Sequence, residues 1–354
     1  MPSSEPESGS NDEPEIQSTS EGRAWEDKSM SVCVIGGAGY IGSVTVETLV
    51  SAGYEVVVYD NLSRGHRKAV IPEARFVKGD HGDSTLLEET LRRYDCTAVM
   101  HFSALSLVAE SVENPLLYYE NNVAKAIALL QAVVSAKVRH FIFSSTAAVY
   151  GEPKSIPIRE DDSLHPTNPY GNTKLAFERL LWDAGIAAGF RSISLRYFNA
   201  AGASEKCGED HRPETHLIPI ILQVALGKQP FVSVFGNAYP TKDGACIRDF
   251  IHVLDLAEAH LLALKYLEAG GKSDVFNLGN GKGFSVLEVI AEASRVTQRE
   301  IPYKISDPRK GDPAVLVASS EKIQKILGWS PRFPQLEPII KSAWNWHLSH
   351  PDGY

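Results

Sequence analysis

The stretch Ser31-Val32-Cys33-Val34-Ile35-Gly36-Gly37-Ala38-Gly39-Tyr40-Ile41-Gly42 decides the fold. Its first five residues make an apolar run of strand length, and an amphipathic helix to about Ala52 follows the glycines. Gly36, Gly39 and Gly42 stand at G-x-x-G-x-x-G spacing. Glycine at these places permits a tight turn and lets backbone N–H groups approach a pyrophosphate at the helix N-terminus. The spacing differs from G-x-G-x-x-G, and the glycines alone also fit a plain strand–loop–helix. A second strand, Glu55 to Tyr59, ends in Asp60, 18 residues after Gly42. An acid there would bind both ribose hydroxyls of an adenosine and repel a 2′-phosphate, so NAD is expected rather than NADP.

Outward from this unit the β/α alternation continues. Strands are predicted at Arg75 to Val77, leading into Gly79-Asp80, and at Ala98 to Phe102, His140 to Ser144 and Ser192 to Tyr197. Helices are predicted at Ser84 to Tyr94 and from about Leu116 to Ala136. This pattern predicts an α/β protein with a doubly wound parallel Rossmann sheet, its ligands beyond the carboxyl ends of the strands. Asp80, Phe102, Ser103 and Thr146 fall at such ends, whereas His101, inside an apolar strand, reads as core. Past Phe198-Asn199 the elements shorten: Pro213 to Gly227, Val232 to Gly236, Cys246 to Val253, a helix Asp255 to Ala269, Val275 to Gly279, and helices Ser285 to Val296 and Leu336 to about His347. They predict a smaller, interleaved α/β substrate domain. The expected division is a disordered acidic tail over 1–30, a Rossmann domain over 31–199, and a substrate-binding domain over 200–354 with some segments returning to the Rossmann domain.

Asn168-Pro169-Tyr170-Gly171-Asn172-Thr173-Lys174 reads as a helix start, with Asn168 as N-cap, Pro169 in the first turn and an amphipathic run to Ala188. Tyr170 and Lys174, four apart, share a face. A fixed ammonium beside a phenol favours the phenolate and pulls its pKa toward neutrality, which makes the pair a candidate proton-transfer device for a hydroxyl. Taken alone, Tyr-x-x-x-Lys equally describes a surface tyrosine and a solvated lysine. In the later half Arg248 and Arg309 are the cations available to a diphosphate, and a surface ion pair is the other reading of each.

Composition bounds the alternatives. The chain has 354 residues, 43% of them apolar, enough for a substantial core. A net charge of -9 argues against a nucleic-acid surface. Four scattered cysteines without C-x-x-C predict neither a disulfide framework nor a zinc site, and fit a reducing cytoplasm. No apolar run reaches membrane-spanning length, and residues 1–30 resemble neither a secretory signal nor a transit peptide.

With these residues assembled, the chain from about Val32 to Tyr354 resembles the UDP-glucose (UDP-galactose) 4-epimerases of the extended short-chain dehydrogenase/reductase family. The resemblance rests on Gly36 to Ser43, Asp60-Asn61-Leu62-Ser63, Glu110-Ser111-Val112, Tyr118 to Val123, Phe143-Ser144-Ser145-Thr146, Asn168 to Lys174 and Arg196-Tyr197-Phe198-Asn199. It continues in Phe235-Gly236-Asn237, Tyr239-Pro240-Thr241, Arg248 to Val253 and Gly311-Asp312-Pro313. It implies Tyr170 as base, Lys174 as its electrostatic partner and ribose anchor, and Thr146 as the hydrogen-bond bridge to the sugar. It implies Tyr40, Ile41, Asp60, Asn61, Asp80, Phe102, Asn121, Tyr197 and Phe198 as cofactor contacts. Asn199 matches the substrate asparagine. Arg248, Arg309 and Asp312 match the diphosphate and ribose positions, with Leu217, Ser233 and Phe235 near the uracil. His81, Ser103, Ser106 and His216 depart from the family pattern and carry no implied role.

The resemblance implies reversible C4 epimerisation of UDP-glucose and UDP-galactose through a 4-keto sugar, with transient hydride transfer to bound NAD. Another nucleotide-sugar 4-epimerase, acting on pentoses or N-acetylhexosamines, is the alternative. A 4,6-dehydratase or decarboxylase needs an acid or base after Thr146, where Ala147 and Ala148 stand. A non-enzymatic NAD sensor has no need of Thr146, Tyr170 and Lys174 together. A homodimer through helices near Leu116–Ala136 and Tyr170–Ala188 is implied, with Val123, Ile127, Leu130, Leu180 and Leu181 as apolar residues on more than one face. Leu316 matches a position that guards the sugar pocket, or is ordinary core on a short strand, Ala314 to Ala318. A leucine there would leave an acetamido group without a polar partner, so N-acetyl sugars are expected to be poor substrates.

Overall fold

The computed structural model describes residues 30–309 and 312–354. The reading of residues 1–29 as a disordered tail, and Gly311 of the Gly-Asp-Pro motif, lie outside the described residues.

Apolar β-branched runs form the strands of the first half: β1 (Ser31–Ile35), β2 (Glu55–Asp60), β3 (Arg75–Lys78), β4 (Cys96–His101), β5 (His140–Thr146) and β6 (Arg191–Tyr197). Between them lie α1 (Tyr40–Ser51), α2 (Ser84–Arg93), α3 (Val108–Glu113), α4 (Pro115–Tyr119), α5 (Lys125–Ser135) and α6 (Pro169–Ala188). The second half contributes β7 (Asn199–Ala201), α7 (Leu217–Ala225), β8 (Val232–Phe235), β9 (Ile247–Arg248), β10 (Phe250–His252), α8 (Val253–Glu268), β11 (Asp274–Leu278), β12 (Phe284–Ser285), α9 (Val286–Thr297), β13 (Tyr303–Ser306), β14 (Val315–Leu316), α10 (Glu321–Leu327) and α11 (Leu336–Ser349).

Seven strands form one sheet in the order β11-β6-β5-β4-β1-β2-β3, and every pair in it is parallel. Both faces are covered, as a parallel sheet requires. Alternate residues serve opposite cores. Val32, Val34, Val56, Val58 and Met100 face α1 and α8. Cys33, Ile35, Val57, Tyr59 and Val99 face the opposite layer, which Leu87, Leu129 and Phe177 supply from α2, α5 and α6. This is the doubly wound sheet expected from the sequence. The chain runs from β1 to one edge and from β4 to the other, so a crevice opens between the carboxyl ends of β1 and β4.

Two features differ from the sequence expectation. The helix expected from Leu116 to Ala136 carries a π-turn, Glu120–Ala124, between α4 and α5. Asn122 in that turn sends its side chain out to Leu105 and Thr173, which fixes the widened turn. Second, the strand expected at Val275 to Gly279 is β11, an edge strand of the large sheet rather than part of the smaller unit. As expected, the apolar residues singled out on the long helices fall on more than one face: Leu130 and Leu181 are buried while Ile127 is exposed. Helices α8 and α10 also pack on the large sheet, while α7, α9 and α11 with β8 and β10 form a separate core. Its small sheets pair β7 with β10, β8 with β13, and β9 with β12 and β14.

Candidate active site

The glycine turn between β1 and α1 closes only with glycine. A Cβ on Gly36, whose φ is +80°, would lie 2.6 Å from the Ser103 amide nitrogen, and one on Gly42 would lie 2.3 Å from the Gly36 carbonyl oxygen. Gly39 is the N-cap of α1 and supplies no capping side chain, and the first turn holds no acid. The first-turn amides of Tyr40 and Ile41 therefore open onto the crevice with the positive end of the helix behind them. The Tyr40 side chain points elsewhere: its hydroxyl donates to the Gly202 carbonyl at 2.6 Å.

Asp60 ends β2 beside this turn. Its carboxylate accepts from the Ala38 amide at 3.0 Å and the Leu62 amide at 2.7 Å. Burial pushes its pKa up, against the pull of those amides. Each oxygen keeps a lone pair for a ribose hydroxyl. Asn61 donates to Asp80 Oδ2 at 2.8 Å, and Lys125 Nζ approaches the same oxygen at 3.0 Å. The Gly82 amide donates to Asp80 Oδ1, and Asp80 sits below its ordinary pKa because these donors outweigh its partial burial. Phe102 follows β4, with its ring 4.8 Å from that of His260.

His81 and Ser103, read from sequence only as departures, fit each other. His81 Nε2 lies 2.9 Å from the Asn121 carbonyl and Nδ1 lies 3.0 Å from Ser103 Oγ. Burial pushes the His81 pKa down, so the neutral ring donates at Nε2 and accepts from Ser103. Asn121, in the π-turn, is thereby tied to the β3 and β4 ends. Two unusual polar residues after successive strands of the chain, β3 and β4, were the available signal for this network.

The opposite wall comes from α6. Asn168 Oδ1 accepts from the Gly171 amide at 2.9 Å, as an N-cap does, with Pro169 in the first turn. A Cβ on Gly171 would lie 2.6 Å from the Ala148 carbonyl oxygen, so the helix start presses against the turn after β5. This contact sets Tyr170 beside Thr146, whose Oγ1 accepts from the Ala148 amide at 3.2 Å and whose hydroxyl favours the phenolate. Lys174 is almost wholly buried, donates to the Ser144 carbonyl at 2.8 Å, and holds its Nζ 6.0 Å from the Tyr170 ring centre. Burial pushes the Tyr170 phenol up, with Thr146 pulling the other way. Burial likewise pushes Lys174 down to about 7, against the pull of Glu178. The expected depression of the Tyr170 pKa by Lys174 is therefore not present in the protein alone: a low-dielectric cleft penalises both charges before a cation enters.

Below this pair lies a network that sequence reading missed. Glu178 and Arg196 form a two-pronged buried ion pair at 2.9 and 2.6 Å, and Arg196 Nη1 also donates to Tyr150 at 2.9 Å. Tyr197, ending β6, hydrogen-bonds Ser144. Phe198 and Leu316 each pack against the cluster of Val149, Tyr150, Ile158 and Leu175.

The second half carries the remaining residues singled out from the sequence. Asn199 opens β7, its amide held by the Asp249 carbonyl at 3.0 Å. Arg248 is half-buried, pairs with Asp312, and donates to the Pro313 carbonyl at 2.9 Å. A solvated surface pair, the other reading of Arg248, is therefore excluded. Arg309 is exposed and lies 4.0 Å over the Phe235 ring. Leu316 is the parallel-register partner of Arg248 across β14 and β9. Leu217 starts α7, and Ser233 sits within β8 opposite Lys304. Asp249 was also missed. It accepts from the Asn280, Gly281 and Ala318 amides at 2.7, 3.1 and 3.1 Å, which locks the strand carrying Arg248. Burial pushes its carboxyl up to about 6.

One end of the parallel sheet thus brings together a glycine turn, a buried acid at the end of β2 and a Thr–Tyr–Lys set. The chain belongs to the NAD dependent epimerase/dehydratase family, whose model matches residues 32–279. Within that family it is similar to the UDP-glucose 4-epimerase of Lacticaseibacillus casei, at 51% identity over 92% of this chain and 99% of the relative. It is also similar to a crystal structure of a UDP-glucose 4-epimerase, with TM-score 0.90 and 52% identity over 92% of this chain and 99% of that one. The structure of the Bifidobacterium longum enzyme in complex with NAD+ and UDP superposes with TM-score 0.87 and 36% identity, over 92% and 100% of the two chains.

Proposed function

We propose that this chain is an isomerase that interconverts UDP-glucose and UDP-galactose at C4 with bound NAD. The observation that carries this reading is the convergence of Thr146 at the end of β5 with Tyr170 and buried Lys174 on the first turns of α6, Lys174 Nζ lying 6.0 Å from the Tyr170 ring centre. NAD+ held in this crevice would supply reversible hydride acceptance at the sugar C4. The Tyr40 and Ile41 amides, in the turn built by Gly36, Gly39 and Gly42, would hold its pyrophosphate. Asp60 and Asn61 would hold a ribose, with Asp80, Phe102, Asn121, Lys174, Tyr197 and Phe198 around the rest.

Tyr170, as phenolate, takes the O4 proton, and Thr146 bridges the hydroxyl to it. Lys174 keeps the phenolate stable and later lets the proton return. Arg248, Arg309 and Asp312 hold the diphosphate and ribose of UDP, Leu217, Ser233 and Phe235 line the uracil side, and Asn199 contacts the substrate. Ala147 and Ala148 leave no acid or base beyond Thr146, which disfavours elimination from the sugar.

A homodimer and a cytoplasmic location complete the reading. Leu116, Leu117, Ile127, Trp182 and Ile186 are exposed on α4, α5 and α6, an apolar face that a second copy would cover. The four cysteines are free and buried, and no described helix is long and apolar enough to cross a membrane. The test is conversion of UDP-galactose to UDP-glucose by the purified protein without added cofactor. Turnover accompanied by co-purified NAD supports the reading. Conversion that requires added NAD(H), or none at all, refutes it.

A further inference from the structure

The loop between β7 and α7 carries Glu209, His211, Glu214 and His216, and folds them onto one another. His216 Nδ1 lies 2.7 Å from Glu209 Oε1 and 3.2 Å from Glu214 Oε1. His211 Nδ1 lies 3.1 Å from Glu209 Oε1 and 3.9 Å from Glu214 Oε2. One donor atom from each of the four lies within 4.8 Å of all the others. Both carboxylates are nearly enclosed, with side-chain exposures of 5% and 6%. Among the described residues neither pairs with a lysine or arginine; their ion-pair partners are the two histidines. The neighbouring Arg212 guanidinium turns away, to Asp210 and the Asp352 carbonyl.

We infer that these four residues form a binding site for a borderline divalent cation of the Zn2+ class. Two imidazole nitrogens and two carboxylate oxygens are a complete tetrahedral donor set for such an ion. Metal–ligand bonds of roughly 2.0–2.2 Å place tetrahedral donors about 3.4 Å apart, so the widest separation, up to 4.8 Å, has to contract by about 1.4 Å. A dication would also neutralise the two enclosed carboxylates. With four protein ligands the site is a closed, structural one. It departs from the metal-free expectation, which rested on the cysteines. The loop is already held at its flanks, by His66 on the Asp210 carbonyl at 2.9 Å and by the Tyr354 hydroxyl on the Gly208 amide at 2.9 Å. It joins Asn199 on β7 to Leu217 on α7, and the His211 ring sits edge-on to Tyr40 in α1. A metal here braces the loop between the glycine turn and the second half of the chain, whatever reaction the crevice performs.

The test is calorimetric titration of the untagged, chelator-treated full chain with Zn2+, with Mg2+ as the control. One Zn2+ per chain, indifferent to Mg2+, is expected. Losing an outer-sphere partner typically costs 10–100-fold in affinity, so His211→Ala, which removes a ligand, should weaken Zn2+ by about 100-fold or more. Glu214→Gln should act in the same direction and serves if His211→Ala fails to fold. The Co2+ form should show tetrahedral d–d absorption without a thiolate charge-transfer band, which separates this site from the cysteines. No Zn2+ uptake by the parent chain, equal affinity in a folded variant, or a thiolate band would overturn the inference.

Discussion

Replacing Glu178 by glutamine probes the support beneath Lys174. In the parent chain Arg196 is 3% exposed and its guanidinium meets both Glu178 oxygens, at 2.9 and 2.6 Å. Removing one partner of a buried pair costs roughly 3–5 kcal/mol, because the other charge stays desolvated. Glutamine keeps one acceptor oxygen, which places the expected loss at the lower end, about 3 kcal/mol. That is about two powers of ten in the folding equilibrium. Urea unfolding followed by circular dichroism reads it as a lower midpoint at unchanged slope. A hydrophobic replacement of a whole buried pair is often neutral, so the double variant Glu178→Leu with Arg196→Met should regain most of the loss. Turnover should stay low in both variants, since Glu178 is also the charge that raises the Lys174 pKa against burial. A Glu178→Gln midpoint equal to that of the parent chain would refute the assignment of this pair as an energetic support.

Three further outcomes follow from the same geometry. Asp60→Ala should lower co-purified NAD and relax selection against NADP, read by nucleotide analysis of the purified variant; unchanged content and selectivity would remove Asp60 from the ribose site. Leu316→Ser should raise the kcat/KM ratio of UDP-N-acetylglucosamine to UDP-glucose. Such a serine would offer the acetamido group a partner worth roughly 1–3 kcal/mol, and no change would leave Leu316 as a packing residue on the Leu175 cluster. Lys174→Met, in protein freed of nucleotide, should show a pH-dependent stability difference. Burial lowers the folded-state pKa of Lys174 from 10.5 to about 7, so below pH 7 the parent chain carries the full cost of a buried ammonium. That cost shrinks as pH rises from 7 toward 10.5, because the unfolded chain then binds the extra proton. The advantage of Lys174→Met in urea midpoints should therefore be largest near pH 6 and decline toward pH 10; a difference independent of pH contradicts the shift.

Local chemistry explains what the sequence made legible. Val32 to Ile35 followed by Gly36 could only be a buried strand ending in a tight turn, and Asn168-Pro169 could only open a helix; both elements fall where the residues place them. The parallel sheet followed from alternation alone. The π-turn at Glu120–Ala124 was hidden because its apolar spacing is close to that of an α-helix, and its cause, Asn122 bonding to Leu105 and Thr173, is tertiary. The return of Asp274–Leu278 to the large sheet is set by register against β6, which no local pattern encodes. Glu178 and Arg196 stand on different elements, as do His81 and Ser103, so their pairing became visible only with the fold. The charge balance at Tyr170 was misjudged for a related reason: helical spacing gives the proximity of Lys174 but not the burial that weakens both charges.

The central claim is that Tyr170 moves the O4 proton during epimerisation. Turnover of UDP-galactose by Tyr170→Phe tests it most directly, with bound NAD and circular dichroism measured on the same preparation. General acid–base groups contribute about 10²–10⁴-fold. The predicted result is a loss of at least that size with fold and NAD content intact; near-parental turnover with full NAD content would contradict the account.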